Sequence, residues 1–285
     1  MEKILVPTDF TPIAELGLKL ASEIAARSGA TISLVNFTKH PFGRTFTATG
    51  DISLKADPEE EHFMLELLRV NKGKLSELAN RYRRDNVDIE YAIIDDELKN
   101  GVDEYLEKEY IDLVVMGTSG EENMKEAFTG NRTEQVIQVS SCPVLSVRDG
   151  FNIDDFNNIV LAVNIIKDEH VLKALNTIRQ FAECFNSHIH LVHARDKTSV
   201  DSSDLKGFVN QMAVFAGLQN YSVTILEADD DAVGVIEFAR SVRAGIIAVI
   251  KNSRDGIFRI FSNHFSDRLV KEVGRPVFTY NLQNN

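Results

Sequence analysis

The sequence predicts an α/β protein made of two tandem doubly wound domains, each a parallel sheet with helices on both faces. Three observations carry this expectation. Short apolar runs alternate with helical repeats along the chain, the pattern left by βαβ crossovers. Four of those runs occur twice in the same order: 3–10 KILVPTDF with 158–165 NIVLAVNI, 30–37 ATISLVNF with 187–194 SHIHLVHA, 112–117 DLVVMG with 245–250 GIIAVI, and 141–147 SCPVLSV with 274–280 GRPVFTY. The repeat spans about half of the 285 residues, far too long for a solenoid and in keeping with roughly two domains for this length. The expected domains are 1–149 and 156–285, joined by the polar stretch Asp149–Asn157.

Each element of the first half has a local reason. After the first strand, Ile13, Leu16, Leu20 and Ile24 recur at spacings of three and four, giving one apolar helix face. Thr11 suits its N-cap and Pro12 its first turn. Strand 31–37 leads into a polar, Thr-rich loop at about 38–56, which reads equally as a lid or as a variable surface loop. Asp57, Pro58, Glu59 and Glu60 then mark a helix start, with acidic groups at the positive end of the helix dipole. Met64, Leu67, Leu68, Leu75 and Leu78 continue that helix. Val87, Ile89, Tyr91 and Ile93 alternate as in a half-exposed strand near an edge. A helix near 98–109, the run 112–117, a helix near 131–140 and strand 143–148 complete the half.

The second half repeats the order. Val171, Leu172, Leu175, Ile178 and Phe185 mark its first helix, and Leu205, Phe208, Val209, Met212 and Phe215 its second. Strands are expected at 188–194, 220–226, 245–250 and 276–280. Runs such as LVVMG and IIAVI are apolar throughout, as central strands covered on both faces must be.

Composition narrows the function classes. Hydrophobic residues make up 44% and charged residues 26%, which is globular material. The formal net charge of −12 argues against nucleic acid or an anionic membrane as a partner. It leaves room for a local anion site, because helix N-termini bind phosphate whatever the net charge. No apolar stretch approaches about 20 residues, so no membrane span is expected. MEKILVPTDF lacks a signal-peptide pattern, and Cys142 and Cys184 form no C-x-x-C, so the expected compartment is the cytoplasm.

The most informative segment is Met116-Gly117-Thr118-Ser119-Gly120, then nine residues, then Gly130-Asn131-Arg132-Thr133. It follows a buried strand and precedes an amphipathic helix containing Val136, Ile137 and Val139. Glycines there let backbone approach a ligand, and the helix start offers free N–H groups to a phosphate. It is neither a Walker loop nor G-x-G-x-x-G, and taken alone it reads equally as a plain turn between strand and helix.

With G-x-x-G-(nine residues)-G between a hydrophobic strand and S-C-P-V-L-S-V, and with ILVPTDF at the start, nearly the whole chain resembles the universal stress protein family in two tandem copies. That resemblance implies the adenine nucleotide alpha hydrolase-like fold and binding of ATP, or of ADP or AMP, with Mg²⁺ as an accompanying ion. By the resemblance Asp9 reads the nucleoside beside Pro7 and Thr8, and Phe37 lines the base. Met116, Gly117, Gly120, Gly130, Asn131 and Arg132 then hold ribose and phosphates. Asn131 stands where the family usually has Ser or Thr; it caps a helix as well, while Arg132 or its own amide replaces the hydroxyl contact.

The second half departs further. Asn164 stands for Asp9, Ala162-Val163 for Pro7-Thr8, and Lys251-Asn252-Ser253-Arg254 with Asn263-His264 for the glycine loop. Side chains there obstruct close backbone approach. A degenerate copy kept for packing and dimerisation is favoured over a remodelled anion site using Lys251, Arg254 and His264. His190 and His193 read as ordinary sheet residues, Asp229-Asp230-Asp231 as a solvated, helix-capping turn, and Glu121-Glu122 as a solvated loop face rather than Mg²⁺ ligands. Cys142 reads as packing, and no catalytic residue and no metal site are assigned.

The expected function is thus a nucleotide-responsive stress module, not a dedicated enzyme, with adenine nucleotide in the first half only. A dimerisation scaffold without nucleotide, and a weak ATPase, are the competing readings. The resemblance also implies last strands that pair across a dimer axis. Here 143–148 and 276–280 can pair within one chain as a pseudo-dimer, with a further homodimer through another face open.

Overall fold

The computed structural model of the chain describes residues 1–39, 58–118, 132–163, 169–195, 203–251 and 274–282. Contacts divide it into two compact units, one running from Met1 to Thr118 and including the helix segment up to Ser140, the other beginning at Ser141.

In the first unit, strands β1 (Lys3–Pro7), β2 (Thr31–Phe37), β3 (Ile89–Ile94) and β4 (Leu113–Gly117) alternate with helices α1 (Pro12–Ser28), α2 (Pro58–Tyr82), α3 (Leu98–Lys108) and α4 (Arg132–Val139). The sheet order is β3-β2-β1-β4, with every pair parallel. Crossovers from β1 to β2 to β3 run one way across the sheet, and the return to β4 runs the other way. Right-handed connections therefore put α1 and α2 on one face and α3 and α4 on the other, and those are the helices found in contact. The direction changes between β1 and β4, and ligand clefts of such sheets open beyond the strand ends at that place.

Helix α1 forms as its sequence dictates. The Thr11 side chain accepts the Ala14 N–H at 3.2 Å, Pro12 occupies the first turn, and Gly29 ends the helix at a φ of 74°. Its buried face includes Leu18, Leu20, Ala21, Ile24 and Ala25, laid on Ile4, Leu5 and Val6, which have no exposed surface. Each of the Leu, Ile and Val side chains contributes about 1.5–3 kcal/mol on burial. The edge position of β3 agrees with its alternation, although Tyr91 is 38% exposed because the rim of the sheet is not fully covered.

Helix α1 also crosses β4 at very short range. A Cβ on Gly117 would lie 1.7 Å from the Ile13 carbonyl oxygen, and one on Gly17 would lie 2.8 Å from the Gly117 nitrogen. Both positions must lack a side chain for the two backbones to meet.

The second unit contains β5 (Val144–Val147), β6 (Asn158–Ala162), β7 (His188–Arg195), β8 (Tyr221–Glu227), β9 (Ile246–Lys251) and β10 (Val277–Asn281), with helices α5 (Glu169–Glu183), α6 (Ser203–Phe215) and α7 (Asp231–Ser241). The order is β8-β7-β6-β9-β10-β5, parallel except for the last pair. There β10 runs antiparallel to β5, with Phe278 opposite Leu145. This pairing places β5, the last strand of the first sequence repeat, within the second compact unit. Core packing around Val160, Val192, Ala194, Val235, Ile247 and Val249 repeats the sandwich of sheet and helices. The Asp230 side chain accepts the Val233 N–H at 3.0 Å, so the acidic triplet does cap α7. Helix α5 ends at Glu183, and Phe185 lies beyond it, packed on Phe156 and Phe181 at ring separations of 5.3 and 5.2 Å. Cys142 is buried, in keeping with a packing role. Among the described residues no helix is long and apolar enough to cross a membrane.

Glycine substitutions test this crossing. Gly117→Ala, blocked by backbone, is expected to lower stability by about 1–3 kcal/mol, as overpacking does. Gly73→Ala, inside α2 with open space around it, is expected to raise stability by about 0.5–1 kcal/mol. Urea unfolding of the three proteins checks both signs.

Candidate functional site

The candidate site is built where the first unit's strands end. β1 leaves the sheet through Thr8, whose N–H continues the ladder to the Val35 carbonyl at 2.9 Å. Asp9 follows and is oriented by the turn itself: its Oδ1 accepts the Thr11 N–H at 3.0 Å and the Thr11 hydroxyl at 2.6 Å. Phe10 takes a φ of 66°, a left-handed conformation that a bulky residue seldom adopts. Its N–H donates to the Thr8 hydroxyl at 3.1 Å, and the Lys74 ammonium lies 5.1 Å from its ring centre.

The second carboxylate oxygen of Asp9 pairs with the Arg132 guanidinium. Arg132 is the first residue of α4, so the chain brings together two oppositely charged groups 123 positions apart. Arg132 keeps 65% of its side chain exposed and Asp9 33%. An exposed pair of this kind contributes only about 0–1 kcal/mol, so either partner can be recruited by a ligand at little cost.

A buried polar network holds the neighbouring strand end. Asn36 lies at the end of the apolar run ISLVNF and is almost fully buried. Its amide nitrogen donates to the Thr8 carbonyl at 2.8 Å, and its oxygen accepts from the Thr38 hydroxyl at 2.8 Å and the Asn71 amide at 3.3 Å. It thereby fixes the ends of β1 and β2 to each other and to α2. Phe37, the last residue of β2, is half-buried, meets Tyr105 edge-on at 6.4 Å, and is approached so closely by α3 that a Cβ on Gly101 would lie 2.4 Å from its ring. Lys39 bonds Glu97 at 2.6 Å, and that hydrogen bond, with the carboxylate charge behind it, holds its ammonium above the ordinary lysine value.

Among the residues singled out in the sequence, Pro7, Thr8, Asp9, Phe37, Met116, Gly117 and Arg132 lie at these strand ends or at the start of α4. Asp9 and Arg132 touch directly. Met116 is buried, and Gly117 is required for helix packing, as its blocked Cβ position shows. Gly120, Gly130 and Asn131 lie outside the described residues, as do Glu121, Glu122, Asn164, Asn252, Ser253, Arg254, Asn263 and His264. Asn36 and Asn71 were not evident as site-supporting residues from sequence. The signal for Asn36 is a lone amide inside an otherwise apolar strand end, which implies a buried polar group with dedicated partners.

Replacing Asn36 by Ala leaves the Asn71 amide and the Thr8 carbonyl short of a partner. We expect a stability loss of about 1–3 kcal/mol, read from the shift in urea midpoint.

Comparison with known proteins identifies the family. Residues 1–148 match the family model of the universal stress protein family. The universal stress protein MJ0577 of Methanocaldococcus jannaschii is 24% identical over 153 residues, covering 52% of this chain and 94% of that protein. The universal stress protein YxiE of Bacillus subtilis is 27% identical over 150 residues, covering 51% of this chain and 98% of its own. Over nearly the full length, 98% of this chain and 96% of the other, the fold resembles a universal stress protein from Archaeoglobus fulgidus with a TM-score of 0.68 at 16% identity. The family model meets the first repeat, and the structural likeness, over 98% of the chain, extends the fold across both. The chain belongs to the universal stress protein family.

Proposed function

We propose that the first repeat binds an adenine nucleotide, ATP above all, at the ends of β1, β2 and β4, and that the protein acts as a nucleotide-responsive stress module. The observation that carries this reading is the Asp9–Arg132 pair, which puts a carboxylate and a guanidinium together at the point where the strand order changes direction. The residues fit the ligand. Asp9 is held in one orientation by Thr11 and offers an acceptor to a nucleoside hydroxyl or amine. The Phe37 ring supplies a half-buried apolar wall for a base. Arg132 supplies a cation at the positive end of a helix, where phosphate is favoured. The ligand's phosphates take the guanidinium from Asp9, exchanging one exposed ion pair for another. Gly120, Gly130 and Asn131 are proposed to complete the phosphate side, with Mg²⁺ accompanying the nucleotide.

We favour a binding role over a dedicated catalytic one because Asp9 Oδ1 is tied to Thr11, and Oδ2, once Arg132 turns to phosphate, is taken up by the nucleoside. The second repeat, 156–285, is proposed to serve packing. Its strand β10 supplies the antiparallel partner of β5, which we read as an internal pseudo-dimer contact. A cytoplasmic setting and a further homodimer belong to the same proposal.

Calorimetric titration with ATP and with adenosine tests the assignment. Wild type is expected to bind ATP. Asp9→Ala should weaken both ligands about tenfold or more, the worth of a charge-assisted hydrogen bond. Arg132→Ala should weaken ATP by a similar factor while sparing adenosine. No heat from ATP with wild type, and no nucleotide released on denaturing the purified protein, would overturn the proposal.

A further inference from the structure

A second cluster lies in the other unit, at the amino-terminal ends of β6, β7 and β8. His188 and His190 are two apart on β7 and therefore point to the same face of the sheet, with ring centres 4.5 Å apart. His190 is in register with Ser222 on β8, and His188 with Asn158 on β6. The Ser222 hydroxyl oxygen stands 3.1 Å from His188 Nε2 and 3.1 Å from His190 Nδ1. The outer nitrogens are held as well, His188 Nδ1 by the Asn220 side-chain oxygen at 2.6 Å and His190 Nε2 by that of Asn158 at 3.3 Å.

These contacts fix where the ring protons are. The Asn220 amide nitrogen donates to the Ser187 carbonyl at 3.2 Å, and that of Asn158 donates to the Asn157 side-chain oxygen at 3.2 Å. Both amides therefore turn their oxygens, which only accept, toward the histidines. The short Asn220 contact sets the His188 proton on Nδ1, and the longer Asn158 contact favours Nε2 for His190. The two remaining lone pairs, on His188 Nε2 and His190 Nδ1, both face Ser222. A hydroxyl has a single proton and can satisfy only one of them. In that arrangement two imidazole lone pairs converge on one hydroxyl donor.

The geometry points to a divalent transition-metal site of the imidazole-preferring class, represented by Zn²⁺, with His188 Nε2 and His190 Nδ1 as its protein ligands. Imidazole nitrogens bind such ions at about 2.0–2.1 Å. Asn220 and Asn158 play the outer-shell part, holding each ring by its far N–H so that the near nitrogen stays unprotonated. Burial, and to a lesser degree the neighbouring His188, pushes the His190 imidazole below the ordinary histidine range. The Phe238 ring meets His190 edge-on at 5.9 Å and limits its rotation. Both histidines keep some exposure, so the ion has access, and water completes its coordination. The cluster shares no residue with the candidate nucleotide site of the first repeat.

Calorimetric titration of Zn²⁺ into the full chain, first stripped with chelator, tests this at neutral pH. One equivalent should bind. His188→Gln and His190→Gln should each abolish that event, and Asn220→Ala should weaken it about 10–100-fold. Ser222→Ala should keep or tighten it, since the serine competes for the same lone pairs. Long-range ¹H–¹⁵N spectra of unmutated protein guard against misfolded variants: Zn²⁺ should shift His188 Nε2 and His190 Nδ1. No binding by wild type, binding unchanged in either histidine variant, or shifts confined to other histidines would overturn the assignment.

Discussion

Helix α1 and strand β4 meet where neither has a side chain, Gly17 on the helix and Gly117 on the strand, with the Ile13 carbonyl filling the space a Cβ would need. The first site depends on this crossing. It seats the first turn of α1 against the end of β4, and so sets where the β1–α1 turn lies. That turn carries Asp9, and its orientation comes from Thr11, the residue that also caps α1. Packing, capping and the candidate site thus share the residues of this turn. A change in one is felt in the others.

The same crossing shows what could be read from sequence and what could not. Strand and helix order was legible because apolar period is a local property: Ile13, Leu16, Leu20 and Ile24 specify a helix face with no knowledge of its partner. The family was legible because its loop spacing is local too, and the match over residues 1–148 agrees. The packing duty of Gly117 was not legible. A glycine that admits a ligand and one that admits a helix are the same letter, and only the position of Ile13 separates them. The contact between Asp9 and Arg132 is likewise nonlocal. Sequence put both at the site by resemblance, yet no periodicity joins residues 123 apart. The network around Asn36 was hidden for a related reason: its partners Thr8, Thr38 and Asn71 come from three different elements.

The divergence of the second repeat has a structural as well as a chemical side. Strand register puts Ile250 at the place of Gly117, since Ile4 pairs with Leu113 and the corresponding Ile159 with Ile246. A branched side chain there forbids the backbone approach that α1 makes to β4. Loss of the glycine therefore removes the close backbone crossing that sets the position of the first helix relative to the β1–α1 turn. Freed from that constraint, the repeat carries its polar chemistry elsewhere, with His188, His190 and Ser222 gathered at the opposite ends of its strands.

The antiparallel pairing of β5 with β10 has a further consequence. β5 is a four-residue strand, buried at every position. Without β10 its backbone donors and acceptors on that side would form an open edge, and such an edge recruits another chain. A single-repeat protein must close it by association, which dilution undoes. Covalent duplication replaces that bimolecular step with an intramolecular one, at an effective concentration of order millimolar for short linkers. The β5–β10 pairing then does not depend on the concentration of the protein.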